Sequence, residues 1–228
     1  LTKPDLTLEN RLWQEGFRVV GCDEAGRGTW AGSLWVGAVS LRKCDIPKIQ
    51  IMLDDQNLRD SKQMTPKQRA WIYRLVLETG IPYAVADSPP DEIDAVGIEK
   101  AFLFALNRAG SSLVASLHER LSVEPDDLYP KTALLIDGAR YKDLKVAGGT
   151  PLHFEVVAED KLDQTSATVA LASVVAKCHQ ELTMRGLDLI YPEYGLAKSN
   201  GYPTQAHKET VRKHGLAAVH RKTWDVAL

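Results

Sequence analysis

Two acidic residues, Asp23 and Glu24, stand side by side at the end of the apolar segment FRVVGC. A third, Asp137, ends the apolar run TALLI and is followed by Gly138. In α/β proteins ligands gather at the carboxyl ends of strands, and acids placed there form a recurring setting for a metal-dependent centre. Carboxylates without cysteine or paired histidine offer oxygen donors alone, which suits Mg²⁺ or Mn²⁺ and not zinc. Neighbouring strand side chains face opposite ways, so Asp23 and Glu24 serve one centre only if the strand ends there. The glycine-rich AGRG that follows predicts such an end. Singly, each acid also has an ordinary reading, Asp137-Gly138 as a turn and Asp23-Glu24 as solvated loop acids.

Gly26-Arg27-Gly28 sets backbone N–H groups and one guanidinium beside these acids, an arrangement that makes sense if metal holds an anion between them. The loop lacks the Gly-Lys-Ser/Thr ending of a Walker A loop and the three-glycine dinucleotide spacing, so nucleotide-cofactor readings fall away.

The elements that must position these residues can be read from pattern. Residues 17–24 and 31–41 read as strands joined by a tight glycine turn, an antiparallel hairpin. A helix is predicted over 65–79, with Thr65 as N-cap, Pro66 at the first position and Gly80 as its stop. Its apolar Trp71, Ile72, Tyr73, Leu75 and Val76 predict a broad buried stripe. A short strand follows at 81–86, then helices at 91–109 and about 111–121. Residues 132–136 look like a central strand, 152–158 like another, and 165–184 like a long small-residue helix. One more helix, about His207 to His214, closes the chain. The order indicates an α/β domain with a mixed central sheet and a small C-terminal helical lobe, divided at 1–190 and 191–228.

Composition bounds the rest. The 228 residues are 44% hydrophobic and 25% charged, which excludes global disorder. The net charge of -2 hides an asymmetry: residues 198–228 carry 6 basic and 2 acidic groups, leaving 22 basic and 28 acidic groups before them. A basic tail can meet a polyanion while an acidic centre binds cations, although a solvated helix face has the same composition. Cys22, Cys44 and Cys178 form no Cys-x-x-Cys pair and predict a reduced cytoplasm, with Cys22 a small core residue. No uncharged run approaches the ~20 residues of a membrane span, and residues 1–16 lack the build of an export signal. A cytoplasmic, monomeric protein without a recognisable partner motif is the expectation.

GCDEAGRG at 21–28, followed by AGSLWVGAV, resembles the opening motif of the type 2 ribonuclease H family, most closely bacterial ribonuclease HII. The resemblance continues through DSKQMTPKQR at 60–69, EIDAVGIEKAFLFAL at 92–106, LLIDG at 134–138 and ASVVAK at 172–177. It then runs on through YPEYG at 191–195, NGYPTQAH at 200–207 and HRKTW at 220–224. It implies a ribonuclease H-like fold and four carboxylates around two divalent cations, Mg²⁺ or Mn²⁺. Asp23, Glu24 and Asp137 match the first three. The family places the fourth 14 residues before the basic residue that ends the Ala-Ser helix, and counting back from Lys177 reaches Asp163. Glu159 and Asp160 are decoys by that count, with Asp160 the fallback. The family glycine before this acid is Leu162 here. Gln180-Glu181 stands where relatives have Arg-Asp, which alters a supporting salt bridge.

The resemblance further implies that Gly26, Arg27 and Gly28 meet a ribonucleotide 2′-hydroxyl and that Tyr202 stacks under the sugar beyond the junction. Ser61 and Lys62 fall near the scissile strand, and Lys177 is a phosphate or carboxylate partner. Asn200 replaces a family lysine, which Lys198 can stand in for, and His207 and His220 are expected to be structural. The implied activity is hydrolysis of RNA in RNA/DNA hybrids and cleavage 5′ of single ribonucleotides in duplex DNA, leaving 3′-hydroxyl and 5′-phosphate ends. A ribonuclease HIII-like enzyme restricted to hybrids is the alternative, disfavoured because 20 residues before the first motif leave no room for its extra domain. A non-catalytic hybrid-binding module is disfavoured because it has no need of four carboxylates.

Overall fold

The computed structural model describes residues 3–54, 58–121, 131–144 and 153–224. Five strands form one mixed sheet: β1 (Phe17–Ala25), β2 (Leu34–Leu41), β3 (Tyr83–Ser88), β4 (Lys131–Asp137) and β5 (His153–Glu159). Their order is β3-β2-β1-β4-β5. The first hairpin is antiparallel as expected, β3 continues antiparallel on β2, and β4 and β5 run parallel to β1.

β1 does not stop at Glu24. Pairing with β2 carries it to Ala25 opposite Trp35, whereas pairing with β4 ends at Cys22 opposite Ile136. Strand alternation therefore persists through Asp23 and Glu24, and the two acids point to opposite faces. Both lie beyond the last β1–β4 pair, where the end of β4 presents Asp137.

Each face of the sheet has its own core. Val19, Val39, Leu41, Ala133 and Leu135 pack under α6 (Ala167–Ile190) and its neighbours. Val20, Cys22, Ala38, Leu134 and Ile136 pack under α5 (Ile98–Leu121). The small residues of α6 allow backbone to lie on backbone: a methyl group at Gly21 would collide with Thr168, and one at Gly37 with Ala172. Ser166 caps this helix by accepting the Val169 N–H.

The helix over Pro66–Thr79 has the predicted ends. Thr65 and Gln68 make a reciprocal capping box, and Gly80 closes it with a left-handed φ of 65°. Its buried face is narrower than the apolar count suggests: Ile72, Val76 and Arg69 are buried, while Trp71, Tyr73 and Leu75 sit at the rim of the core. The helices predicted at 91–109 and 111–121 are divided elsewhere. One runs Pro90–Val96, Gly97 breaks the chain at φ 79°, and α5 then continues through Gly110. Gly110 does not interrupt it because Ala101, Ala105, Ala109, Leu113 and Leu117 keep one unbroken stripe against the sheet.

Two helices without a sequence-level expectation, Thr7–Gln14 and Ile46–Asp54, cover the α6-side core with Leu12, Trp13, Ile49 and Met52. At the other end, Leu196–Ser199 and Gln205–His214 are helical, the latter beginning two residues before the predicted start. Tyr194, Leu196 and Val211 close a small core on Ala31 and Met184. Among the described residues no helix is long and apolar enough to cross a membrane.

Candidate active site

Asp23 lies on the α6 face, buried. Its Oδ1 accepts the Glu24 N–H at 2.8 Å, while Oδ2 is buried without a hydrogen-bond partner. Burial, then the charges of Glu24 and Asp137, hold this carboxyl well above the usual range. Glu24, on the opposite face, accepts Arg27 Nε at 2.6 Å. Asp137, half-buried at the end of β4, accepts the Leu162 N–H at 2.7 Å; burial raises its pKa, and Glu24 adds to that.

Asp163 sits in a 3₁₀ turn, Leu162–Gln164, directly after β5 and before α6. It is buried, and its pKa is pushed up to about 7 by burial, then by Asp137 and Asp60. Asp160 points elsewhere, exposed and accepting the Ala139 N–H at 2.8 Å. The positive φ near this turn falls on Lys161, at 64°, so the side chain at Leu162 is accommodated and buried. Lys62 Nζ stands 4.0 Å from Asp163 Oδ2, and its charge also reaches Asp23 and Asp137.

The fold thus brings Asp23, Glu24, Asp137 and Asp163 into one electrostatic neighbourhood with a single lysine, Lys62, facing three of them. Among the described residues no three acidic, histidine or cysteine side chains converge, as they stand, on a point that could hold an ion. Each acid is turned instead onto a local donor or a neighbouring carboxyl. The donor set still fits a hard divalent cation: all ligands are oxygen, one buried carboxylate oxygen is unpartnered, and three carboxyls are raised by burial and then by neighbouring carboxylates, both of which positive charge would offset.

Arg27 is spent within the protein. Besides Glu24 it reaches Glu99 at 2.8 Å and the Tyr141 hydroxyl at 2.7 Å, and it lies over the Phe102 ring. Gly26 is buried with φ 87°, and Gly28 is exposed, 3.7 Å from Tyr202 Cε1 when given a methyl group. Tyr202 is exposed and carries Lys177 Nζ 5.5 Å from its ring centroid. Lys177 donates to Gln180 Oε1 at 2.6 Å, and burial lowers its pKa. Ser61 is buried, its hydroxyl 2.7 Å from that of Ser173. It supports the turn that presents Lys62 and offers no exposed group of its own.

A sequence model of the family Ribonuclease HII matches residues 20–227. Ribonuclease HII of Thermus thermophilus is 38% identical over 94% of this chain and 90% of its own. The chain belongs to the ribonuclease HII family. Ribonuclease H endonuclease activity comes with that membership. The crystal structure of ribonuclease H2 from Pyrococcus horikoshii superposes with a TM-score of 0.62 at 26% identity, covering 92% of this chain and 95% of the other. Bst-RNase HIII in complex with Mn²⁺ shares the fold, with a TM-score of 0.68 at 20% identity, over 92% of this chain and 68% of that one.

The chain also holds features that residue types alone did not reveal. Asp60 caps the turn at Ser61–Gln63 through the Lys62 N–H and sets its carboxyl beside Asp163, whose pKa it helps to raise; the Asp-Ser-Lys triplet was its only sign. Glu181 forms a buried ion pair with Arg69, while Gln180 donates to the Asn200 carbonyl at 2.7 Å. The altered salt bridge is therefore a pair with the predicted helix rather than a loss. His207 and His220 face each other through Nε2 at 3.1 Å, in structural roles, and Arg221 beside them is buried against the glycine loop.

Proposed function

We propose that this chain is a divalent-metal-dependent endoribonuclease. It cleaves the RNA strand of RNA/DNA hybrids and nicks duplex DNA 5′ of a single ribonucleotide, leaving 3′-hydroxyl and 5′-phosphate ends. The observation that carries this reading is the shared neighbourhood of Asp23, Glu24, Asp137 and Asp163 at the ends of β1, β4 and β5. These four would hold Mg²⁺ or Mn²⁺. When bound, such cations supply an activated water and neutralise charge on the leaving 3′-oxygen.

The remaining roles belong to the chain. Lys62, exposed above the acids, meets a phosphate of the cleaved strand. The N–H groups of the Gly26-Arg27-Gly28 loop read the 2′-hydroxyl, a group that is both donor and acceptor and absent from DNA. Tyr202, across from Gly28, stacks on the next sugar, and Lys177 beneath it meets a flanking phosphate. Contacts to sugar and phosphate carry little base specificity. Residues 191–228 act as the substrate-binding lobe of a catalytic domain spanning 1–190, in a monomeric cytoplasmic enzyme.

The test offers labelled duplex DNA with one ribonucleotide, and a long hybrid, in Mg²⁺, Mn²⁺ or EDTA. A metal-dependent nick on the 5′ side of the ribonucleotide is expected, with ends that a ligase joins to matching DNA. Cleavage of the hybrid alone would favour the restricted, ribonuclease HIII-like specificity, and binding without any cut would favour a hybrid-binding module.

A further inference from the structure

Arg221 is fully buried, although a guanidinium is costly to remove from water unless its donors are met. They are met by backbone carbonyls of one loop. Nε donates to Gly32 O at 3.1 Å, one terminal nitrogen to Arg27 O at 2.9 Å, and the other to Gly26 O at 2.6 Å and Gly32 O at 3.0 Å. The main chain reinforces this clamp: the Arg221 N–H donates to Trp30 O, and the Gly32 N–H to Val219 O, each at 2.8 Å.

In a trans peptide the C=O and the following N–H point in opposite directions. Drawing the Gly26 and Arg27 carbonyls onto Arg221 therefore turns the N–H groups of Arg27 and Gly28 away from it. Among the described residues neither of these two N–H groups has an acceptor. Tyr202 stands beside this turn, its Cε1 3.7 Å from where a side chain on Gly28 would begin. The tyrosine is fixed from the same strand of chain: its carbonyl accepts His207 Nδ1 at 2.9 Å, and His207 meets His220, the residue before Arg221.

We propose that Arg221 is a positioning residue for sugar recognition. Without touching the substrate, its guanidinium aims the Arg27 and Gly28 N–H groups at the ribose and so sets the preference for a ribonucleotide over a deoxyribonucleotide. This rests on the reading that the glycine loop meets the 2′-hydroxyl. A lysine at this position offers a point charge and cannot span the three carbonyls as a planar fork does.

The experiment measures the affinities of wild type and Arg221→Lys for two duplexes in EDTA: one all DNA, the other identical but for one ribonucleotide. The ratio of the two affinities is independent of the folded fraction, so a purely structural loss leaves it unchanged. The expected result is a wild-type preference for the ribonucleotide duplex that falls about tenfold in Arg221→Lys, the effect of one or two hydrogen bonds no longer aimed. Amide exchange should rise over residues 26–33 while protection in β1, β4 and α6 stays as in wild type. An unchanged ratio in a folded variant overturns the role of Arg221 while leaving the loop reading intact. A wild type without any preference overturns both. Arg221→Gln serves if the lysine variant does not fold, and failure of both to fold overturns a role confined to the loop.

Discussion

Gly37→Ala probes the approach of α6 to the sheet that holds the carboxylates. A methyl group there would lie 2.4 Å from the Ala172 carbonyl oxygen and 3.0 Å from the Ala176 nitrogen, where ordinary contact begins at 3.4 Å. Both are backbone atoms in the middle of a 24-residue helix, so no rotamer change relieves the clash. Helix and strand must part by about 1 Å, and that gap opens a closely packed interior. Overpacking costs about 1–3 kcal/mol, and the upper end applies where only backbone can yield. For a chain of this size about 3 kcal/mol lowers Tm by about 6–12 °C. Gly186→Ala is the internal contrast, on the outer side of the same helix with nothing within 4 Å. It should gain about 1 kcal/mol of helix propensity and raise Tm by about 2–4 °C. Circular-dichroism melts of both variants beside wild type make the measurement. A Gly37→Ala melt within about 2 °C of wild type would refute the argument, and so would a Gly186→Ala melt that falls alongside it. Because Asp23 and Ser173 lie at this interface, cleavage by Gly37→Ala should also drop well below its melting temperature.

Asp163→Asn should abolish cleavage while Asp160→Asn retains it, as gel assays on a single-ribonucleotide duplex would show; a dead Asp160 variant with a live Asp163 variant reverses the assignment. The Asp163 carboxyl is raised from 3.8 to about 7 in the fold, so its share of stability is fully present below 3.8 and lost as pH rises through 7. The Tm of Asp163→Asn relative to wild type should therefore climb between pH 4 and pH 8, and a flat difference would contradict the crowding described above. Asp23→Asn should be inactive yet melt no lower than wild type, because it replaces a buried carboxyl crowded by Glu24 with an uncharged amide; Mg²⁺ should raise the wild-type Tm more than the variant's. His220 has the opposite sign: burial, then His207, lowers its pKa from 6.5 to about 4, so stability present above 6.5 is lost as pH falls to 4. His220→Gln should blunt that acid-side loss in melts taken over the same range.

Sequence revealed the elements whose ends carry their own chemistry. Thr65, Gln68 and Gly80 bound their helix by side-chain caps and a left-handed stop, which are local properties. Gly110 misled because a helix interior tolerates a glycine when its stripe is buried, whereas Gly97, about two turns into the same segment, takes a φ that other residues avoid. The strand end after Glu24 was misplaced for a different reason: hydrogen bonds to β2 decide it, and those lie across the sheet. In the site, Asp137 was visible at a strand terminus, but Asp163 required counting against relatives, since nothing within KLD separates it from Asp160. The pairing of Asp60 with Asp163 and of Arg221 with the glycine loop spans distances along the chain that no local pattern encodes.

The bond from Arg221 to the Gly26 carbonyl joins residues 195 apart. On a ribosome adding about 5–20 residues each second, roughly 10–40 s separate the making of the loop from the making of its clamp. The acids of β1 emerge early, whereas the backbone geometry that would distinguish ribose from deoxyribose waits for nearly the last residues described. A nascent chain, or one cut short before Arg221, would carry Asp23, Glu24, Asp137 and Asp163 without the clamp that shapes the loop beside them. Discrimination would then be acquired after the carboxylates during synthesis, and any cleavage between the glycine loop and Arg221 would forfeit it while leaving the loop itself in place.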